Sequence, residues 1–404
     1  MATNTYNNAV SITKMAMDCV RNNLTFTKNV NRQYDDQFQL SGAKNGDTAN
    51  IRIPGNYKVR KGSVADPQGY NDTFIPVQLL QSGVDVSFTT KDLRLSVEDP
   101  PAFKQNVLAP MMASLASSVD STGAALVTTL SQATGTPGTL PTGIANFLNA
   151  GAILKDGAVP VDDQWAAILT PWSEASVVNG LTTLFNPQKD LADQYRNGNM
   201  GRAAGFKWSM DQNMPTQTFG PLGGSPTVTS APADGASTLV TTGWTAAAAS
   251  RLNVGDIFTV ASVFRVNPIS KNATTQLQQF VVTAAFSSDG SGNGSISVSP
   301  AFVLTGALQN ISVLPVAGAV ITPLAAASKV SPTNIVMHRD CIGMVSADLG
   351  KYGENCVRVK DPGLNLSMRC YEWLNGTTDT LLWRFDILTG WAVLRPTYGV
   401  RVQG

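Results

Sequence analysis

The spacing of apolar residues divides the first eighty residues into a helix, an arm and a hairpin. Residues 6–24 carry apolar side chains at steps of three and four, which predicts a short amphipathic helix. Residues 25–40 become polar with scattered aromatic residues, which indicates an extended arm that needs another surface to pack on. Two alternating stretches flank a basic tip rich in Gly and Pro, so residues 46–80 predict a long, exposed β-hairpin.

A long helix is the clearest prediction, and it follows a strand predicted at 84–90. The break Asp99-Pro100-Pro101 precedes a stripe of apolar residues at helical spacing over about 28 residues. Ala and Ser occupy the other face, which permits close packing against a neighbouring element. The helix is predicted over about 101–131, and its apolar stripe consists of Phe103, Val107, Met111, Leu115, Val119, Leu126 and Leu130.

The pattern changes twice after this helix. Between 144 and 216, helix and strand signals alternate, with a strand at 165–169, a helix from Pro171 to Phe185 and an alternating stretch at 205–215. From about 217 to about 330 charge nearly disappears and small residues dominate, which predicts an all-β, barrel-like insertion. Its predicted strands are 257–266, 277–286, 294–298 and 311–314. Beyond Pro332, strands are predicted at 335–345, 364–373 and 380–388, with a last segment at 393–402.

Charge is scarce along the whole chain. Charged residues make up 14%, well below the roughly 25% of a typical soluble domain, so the surface must be covered by uncharged polar residues or by other subunits. The net charge of +1 provides no basic field for tight binding to many phosphates. We predict neither a secretory signal nor a membrane anchor, because no basic segment precedes an apolar core and no apolar run could span a bilayer.

The only histidine, His338, limits the catalytic chemistry that the chain could perform. A Ser-His-Asp triad would need it as the base, yet no G-x-S-x-G nucleophile elbow occurs, so a structural or surface histidine is favoured. A zinc site is the alternative, since His338-x-x-Cys341 has a ligand-like spacing, but Cys356 and Cys370 are isolated along the chain. Without short-spaced cysteine pairs, we predict free thiols in a reducing compartment for all four cysteines, including Cys19.

Two further motifs resemble functional sites without completing them. The stretch Asp289-x-Ser291-x-Asn293-Gly294 opens like a calcium loop, but Pro300 occupies the position of the required acid, so a β-turn is predicted. Asp162 and Asp163 are adjacent and on a strand would point to opposite faces, which does not suit an acid–base pair. No phosphate-binding G-x-x-x-x-G-K-S/T motif occurs. The sequence therefore predicts no active site, metal site or cofactor, and no enzyme.

Lys58, Arg60 and Lys61 give the hairpin tip a positive charge. A nucleic-acid patch would interleave aromatic residues, and only Tyr57 and Tyr70 are near. A solvated or subunit-facing tip is favoured instead, because a long two-stranded hairpin is marginally stable unless something holds it. The three basic residues are therefore candidate inter-subunit contacts.

The order of these elements resembles one known architecture. An arm, a basic hairpin, a long helix, an α/β region, a β insertion and returning strands look like the Hong Kong 97 type capsid fold, and the insertion is similar to that of the coat protein family of the short-tailed phage P22. The stretches that carry the resemblance are Gly255-Asp256-Ile257-Phe258-Thr259-Val260, Val266-Asn267-Pro268 and 277–283 in the insertion, Gly205-Phe206 and Met214-Pro215 before it, and Asn334-Ile335-Val336 and Ala392-Val393-Leu394-Arg395-Pro396 after it.

This resemblance implies an α+β fold with a barrel-like I-domain. Its expected parts are the N-terminal arm (1–45), the E-loop hairpin (46–80), the P-domain with the spine helix (81–140), the first part of the A-domain (141–216), the inserted I-domain (217–330) and the returning strands of the A- and P-domains (331–404).

The resemblance also implies a function, that of a major capsid protein without catalytic activity. Pentamers and hexamers of the chain would form an icosahedral shell around a double-stranded DNA genome, with no sequence-specific DNA binding and no membrane. A scaffolding protein and a portal protein would be its partners, and virions would assemble in the bacterial cytoplasm. The rivals are an encapsulin-like compartment, disfavoured by the insertion; a β-rich tail or decoration protein, disfavoured by the long helix; and an enzyme, disfavoured by the single histidine.

Overall fold

The chain passes several times between two structural units, both of mixed α and β character. The computed structural model describes residues 8–35, 48–53, 73–89, 104–180, 201–351 and 355–404, together with Gly55, Tyr57, Ser63 and Pro67. The first unit comprises Met1–Ile53, Phe74–Ala124 and Ile342–Leu394. The second unit comprises Pro54–Thr73, Ala125–Cys341 and Arg395–Gly404.

The described residues form the following helices and strands. The α-helices are α1 (Asn8–Asn23), α2 (Ala109–Ala125), α3 (Ala145–Asp156) and α4 (Pro171–Gly180). The strands are β1 (Asn31–Asp35), β2 (Thr48–Ile53), β3 (Thr73–Gln78), β4 (Leu80–Thr89), β5 (Ala133–Thr134), β6 (Trp165–Leu169), β7 (Arg202–Ala203), β8 (Phe206–Met210), β9 (Thr216–Thr218), β10 (Thr227–Val228), β11 (Ala236–Thr242), β12 (Ala249–Leu252), β13 (Ile257–Val266), β14 (Ala273–Val282), β15 (Phe286–Ser288), β16 (Gly294–Phe302), β17 (Ile321–Pro323), β18 (Val330–Pro332), β19 (Asn334–His338), β20 (Ile342–Ala347), β21 (Cys356–Asp361), β22 (Leu366–Asn375), β23 (Thr380–Val393) and β24 (Gly399–Val402).

A six-stranded sheet organises the first unit. Its order is β1-β20-β23-β22-β21, and β4 also pairs with β23. Strand β1 runs parallel to β20, whereas the other pairs are antiparallel. The two-stranded base of the predicted hairpin, β2 with β3, is present, and its buried residues Ile51 and Val77 belong to one core with Val345 and Leu388 of the sheet. The base of the hairpin is therefore held by its own subunit.

The N-terminal segment packs within the first unit, which supplies part of the surface expected for the arm predicted at residues 25–40. A 3₁₀ turn at Thr27–Asn29 interrupts the extended stretch, and Leu24, Phe26 and Val30 are fully buried. For residues 25–35, the surface on which this segment packs is therefore supplied by its own chain.

The long helix predicted over about 101–131 is confirmed for residues 104–129, with three helical geometries in succession. A π turn (Lys104–Leu108) leads into α2, and a 3₁₀ turn (Leu126–Thr129) follows it. Pro110 explains the π turn, because proline has no N–H for an α-helical bond and its ring crowds the carbonyl four residues earlier. The buried face is rotated by one residue from the predicted stripe and consists of Leu108, Met112, Leu115, Ala116, Val119, Asp120, Gly123, Ala124 and Val127.

A second six-stranded sheet, in the order β5-β24-β19-β6-β8-β7, lies in the second unit. Every residue of β6 is buried, as expected of a strand covered on both faces, and this strand was predicted at its observed position. Helices α3 and α4 contribute Phe147, Leu154 and Val177 to the core of this sheet. Helix α4 confirms the predicted helix as far as Gly180, and residues 181–185 lie outside the described residues.

The insertion forms a sheet of its own in the second unit, in the order β10-β11-β16-β14-β13-β17. The two outer strands also meet, because the Ile321 N–H donates to the Pro226 carbonyl (3.0 Å) and the Val228 N–H donates to the Ala319 carbonyl (2.9 Å). The sheet therefore closes on itself. Its interior is apolar and includes Phe258, Phe280 and Phe302, all fully buried.

Three predicted strands are interrupted or absent in the structure. Residues 335–345 are not one strand, because a turn closed by the Cys341 N–H and the His338 carbonyl (2.9 Å) separates β19 from β20. Residues 311–314 form no strand, and only Ile311 makes an isolated bridge, with Arg265. The last segment, 393–402, is interrupted by a 3₁₀ turn at Pro396–Tyr398 before β24. In the part of the chain that the structure describes, no helix is long and apolar enough to cross a bilayer.

Candidate assembly elements and buried polar clusters

The predicted contact residues of the hairpin tip, Lys58, Arg60 and Lys61, lie outside the described residues. Of the neighbouring aromatic residues, Tyr57 is described, and 58% of its surface is exposed. The base of the hairpin is thus packed in the first unit, and the contact made by its tip stays a prediction.

His338 is buried and both of its ring nitrogens are engaged. Nδ1 accepts a hydrogen bond from the Asp340 N–H (3.1 Å), so Nε2 carries the proton and donates to the Asp162 carboxylate (3.2 Å). Burial opposes ionisation of Asp162, but the Gln164 N–H and His338 outweigh it and lower the pKa of this carboxyl. Asp163 pairs with Arg202 instead. With no free lone pair, His338 is held as a structural side chain, as the sequence favoured.

The four cysteines are free and buried. Burial raises the pKa of Cys341 far above its ordinary value, and burial raises the pKa of Cys370 to about 11 although Thr13 donates a stabilising hydrogen bond. Burial also raises the pKa of Cys19. Among the described residues, no group of three or more His, Cys, Asp or Glu side chains is arranged to hold a metal ion.

The buried thiols should resist alkylation in the folded protein. Because the thiolate is the reactive form, we expect Cys341 and Cys370 to react with iodoacetamide at pH 8 at least about 100-fold more slowly than in urea. Mass spectrometry of alkylated peptides measures both rates, and an added cysteine at an exposed position, Ser118→Cys, serves as the reactive control. Fast labelling of Cys341 in the folded chain would contradict its burial.

Residues 289–294 form the turn that the sequence predicted in place of a calcium loop. The Asp289 carboxylate accepts hydrogen bonds from the Ser291 and Asn293 N–H groups, both at 2.8 Å. These bonds lower the pKa of Asp289, with the Asn293 N–H as the largest cause. The carboxylate oxygen that would bind a cation is thus already occupied by hydrogen bonds from backbone N–H groups of the same turn.

A second aspartate, Asp256, connects the beginning of the insertion to its interior. Its carboxylate is 2% exposed and accepts hydrogen bonds from the N–H groups of Gly220 and Asn253, both at 2.9 Å, and a longer one from the Gln217 amide (3.4 Å). Burial raises the pKa of Asp256, although these donors and the positive charge of Arg401 oppose the shift. Asp256 therefore fixes residues 217–220 against residue 253.

Buried and half-buried polar side chains join the insertion to the surrounding sheet and helix of the second unit. Arg401, fully buried on β24, donates to the carbonyl of Gly255 (2.9 Å), and burial lowers its pKa to about 9, which keeps it charged at neutral pH. Gly255 has φ +90°, and a Cβ there would lie 2.8 Å from Gln217, so this close approach requires glycine. The other connecting bonds run from Gln279 to both backbone groups of Ala133, from Arg265 to Ile153 and from Asn267 to Asp156.

The first unit contains a comparable cluster around Asp120 on α2. This carboxylate, 1% exposed, accepts hydrogen bonds from the consecutive N–H groups of Thr25 (2.6 Å), Phe26 (3.1 Å) and Thr27 (3.0 Å), and from the Thr27 hydroxyl. Backbone N–H groups that converge in this way form an anion-binding nest. The nest balances a buried charge that would otherwise be costly.

Sequence reasoning missed both aspartates. A signal for Asp120 was present, because it is the only charged residue between Lys104 and Lys155 and it interrupts an apolar helix. Asp256 carried no such signal, since an Asp before a strand is common in turns. Their partners lie in other parts of the chain, up to 95 residues away for Asp120 and 39 for Asp256.

Comparison with known proteins gives one match to a protein family. The sequence matches the family described as "P22 coat protein - gene protein 5" over residues 1–404. No curated protein sequence matches significantly. Similar solved structures include one from Mycobacterium phage Che8 (11% identity, TM-score 0.46, 94% of this chain and 90% of that chain) and the capsid of cyanophage P-SCSP1u (12%, 0.43, 94% and 88%). A third is the mature capsid of bacteriophage PhiM1 (10%, 0.42, 94% and 86%). Since the family match spans the whole chain, the protein belongs to the P22 coat protein family and is a major capsid protein, whose copies form the shell of a bacteriophage virion.

Proposed function

We propose that this protein forms the pentamers and hexamers of an icosahedral shell that encloses a double-stranded DNA genome. The observation that carries the proposal is the family match over residues 1–404. The low proportion of charged residues, 14%, supports it, because a subunit surrounded by copies of itself covers much of its surface with interface. In this role the chain acts through geometry and has no catalytic activity.

The proposed architecture is the Hong Kong 97 type with an I-domain, divided at the boundaries that the sequence predicts. The continuous helix at 104–129 suits the spine helix of a P-domain within 81–140. The closed sheet between β10 and β17 suits a barrel-like I-domain within 217–330. The sheet with α3 and α4 suits an A-domain that begins in 141–216 and is completed, with the P-domain, by strands in 331–404. Residues 1–45 and 46–80 would be the N-terminal arm and the E-loop.

Assembly on this proposal uses partners beyond the chain itself. A scaffolding protein would direct closure, a portal protein would occupy one vertex, and assembly would take place in the bacterial cytoplasm. Lys58, Arg60 and Lys61 would contact a neighbouring subunit at the tip of the E-loop. The near-neutral chain would enclose DNA without reading its sequence, since it lacks a strong positive field.

Electron microscopy of the expressed protein tests this function. The full chain is produced alone and together with the proteins encoded beside it, and the products are imaged. We expect closed icosahedral shells or capsomers. A stable monomer under both conditions would refute the proposal, and particles that contain an enzyme instead of DNA in infected cells would favour an encapsulin-like compartment.

Removal of residues 56–70 should separate folding from assembly. The base strands β2 and β3 are packed in the first unit, so the shortened subunit should remain folded and soluble, yet it should fail to close shells because the contact with its neighbour is lost. Circular dichroism checks folding, and sedimentation velocity with microscopy checks assembly. Normal shells from this variant would show that the hairpin does not hold the neighbour.

A charge control distinguishes the basic tip from the hairpin as a whole. Combined Lys58→Ala, Arg60→Ala and Lys61→Ala substitutions should reduce the yield of shells, whereas alanine at three exposed lysines outside the hairpin, Lys14, Lys207 and Lys351, should not. Equal yields from the two triple variants would show that the positive charge of the tip does not make the contact, and that the backbone and uncharged residues of the hairpin do.

A further inference from the structure

The nest around Asp120 fixes the backbone geometry of the turn at residues 25–27. Three consecutive N–H groups can point at one carboxylate only in a narrow range of backbone conformations, so residues 25–27 are held in one geometry on α2. An apolar side chain at position 120 would stabilise the same turn by burial alone, which has no preferred direction. The carboxylate therefore sets the position and the orientation of the turn.

Aromatic packing one turn further along α2 completes this joint. A Cβ at Gly123 would lie 2.7 Å from the ring of Trp391 on β23, so the indole ring rests directly on the helix backbone. The ring of Phe26 lies 6.0 Å from that of Trp391. The helix, the sheet and the N-terminal turn therefore meet at one point, and the turn cannot slide along α2 without breaking both sets of contacts.

The chain beyond this joint leads towards the hairpin. Residues 31–35 form β1, which is parallel to β20 from Asn31 opposite Gly343 to Asp35 opposite Ala347. The Asn365 amide donates to the Arg32 carbonyl (3.2 Å) on the same segment. Because β1 starts only two residues after the 3₁₀ turn, a turn held in one geometry sets where β1 begins on β20. The same strand β20 carries Val345, which packs with Ile51 and Val77 of the hairpin base.

We propose that Asp120 is a positioning residue for shell assembly. By holding the 25–27 turn on α2, it places β1 beside β20, the strand that also packs against the hairpin base, and thereby orients the E-loop towards one neighbouring subunit. This inference rests on the proposed function of residues 46–80. It assigns to a buried carboxylate on α2 a role in the geometry of the particle rather than in subunit folding alone.

An isosteric substitution, Asp120→Asn, tests the proposal. The amide offers one acceptor oxygen in place of two and presents its own N–H groups to Thr27. We expect a folded subunit whose amides at 25–35 exchange at least about tenfold faster, the effect of losing one hydrogen bond to a charged acceptor. At equal concentrations of folded subunit we expect fewer closed shells and more open or irregular particles. The matched control is Asp18→Asn, which removes an exposed carboxylate from α1 and should alter neither measurement.

A milder variant guards against loss of folding. Thr27→Val removes the hydroxyl donor and keeps the three N–H groups, so it should shift both measurements in the same direction by a smaller amount. Normal, closed shells from Asp120→Asn would overturn the inference, even if the subunit were less stable, because they would reduce Asp120 to a folding residue. Unchanged exchange at 25–35 would overturn it as well. Absence of particles from the unmodified chain would instead count against the proposed function.

Discussion

Replacement of Asp256 with alanine is expected to destabilise the second unit by about 4 kcal/mol, as judged from the loss of buried hydrogen bonds to a charged group. The N–H groups of Gly220 and Asn253 would lose their acceptor inside the protein, where water cannot replace it. The buried guanidinium of Arg401 would lose a nearby negative charge. Urea denaturation gives the change in the free energy of unfolding, and hydrogen exchange of β13, β14 and β16 locates it in the insertion.

Two companion variants separate charge from hydrogen bonding at this position. Asp256→Asn keeps an oxygen for both N–H groups and removes the charge, so its cost should be roughly half that of alanine. Burial raises the pKa of Asp256, which means that the ionised form itself is disfavoured in the folded protein. Asp289→Ala removes the same number of backbone hydrogen bonds from an exposed turn and should have a much smaller effect. Equal effects of the two alanine variants would refute the role of Asp256.

Replacement of Phe280 with alanine is expected to cost about 4 kcal/mol, in the range for a large aromatic residue removed from a packed core. Phe280 is fully buried, and its ring lies 4.5 Å from that of Phe302 and 6.0 Å from that of Phe258. Few neighbouring side chains can move into the resulting cavity, because β13, β14 and β16 belong to a sheet that closes on itself. Urea denaturation and hydrogen exchange of these strands measure the loss.

The neighbouring strand offers a matched control for this core. Phe264 on β13 is 37% exposed, so Phe264→Ala should cost about 1 kcal/mol, since less apolar surface is returned to water. If both variants were equally destabilised, the interior of the insertion would be less tightly packed than its burial indicates. If Phe280→Ala did not speed up amide exchange in β16, the three rings would not form one core.

Hydrophobic periodicity predicted the elements whose packing is local. Strand β13 was predicted over its full range, and the long helix was predicted within a few residues, because alternation and helical spacing are properties of contiguous sequence. Strand β14 was predicted at 277–286 but spans Ala273–Val282, since its polar first half is extended only through pairing with β13. The pattern also misplaced the buried face of α2 by one residue, because Ala116, Gly123 and Ala124 pack there despite their small size.

The polar clusters could not be predicted, for a different physical reason. A buried carboxylate is stable only when several donors converge on it, and the donors for Asp120 and Asp256 are mostly backbone N–H groups, which every residue except proline possesses. The residue type at a position therefore does not reveal whether its N–H group binds one of these carboxylates. His338 shows the opposite case, in which a distinctive residue attracts functional hypotheses but both ring nitrogens serve the local structure.

Strands β9 and β18 place the two ends of the insertion side by side, with Thr218 opposite Val330. A segment whose ends are neighbours can be lengthened, exchanged or lost without forcing its host strands apart. A replacement of the segment between these two strands therefore leaves β9 and β18 in their places. The same junction is a natural place to graft foreign domains for display on particles, provided that the graft supplies an acceptor for the Arg401 guanidinium, as Gly255 does.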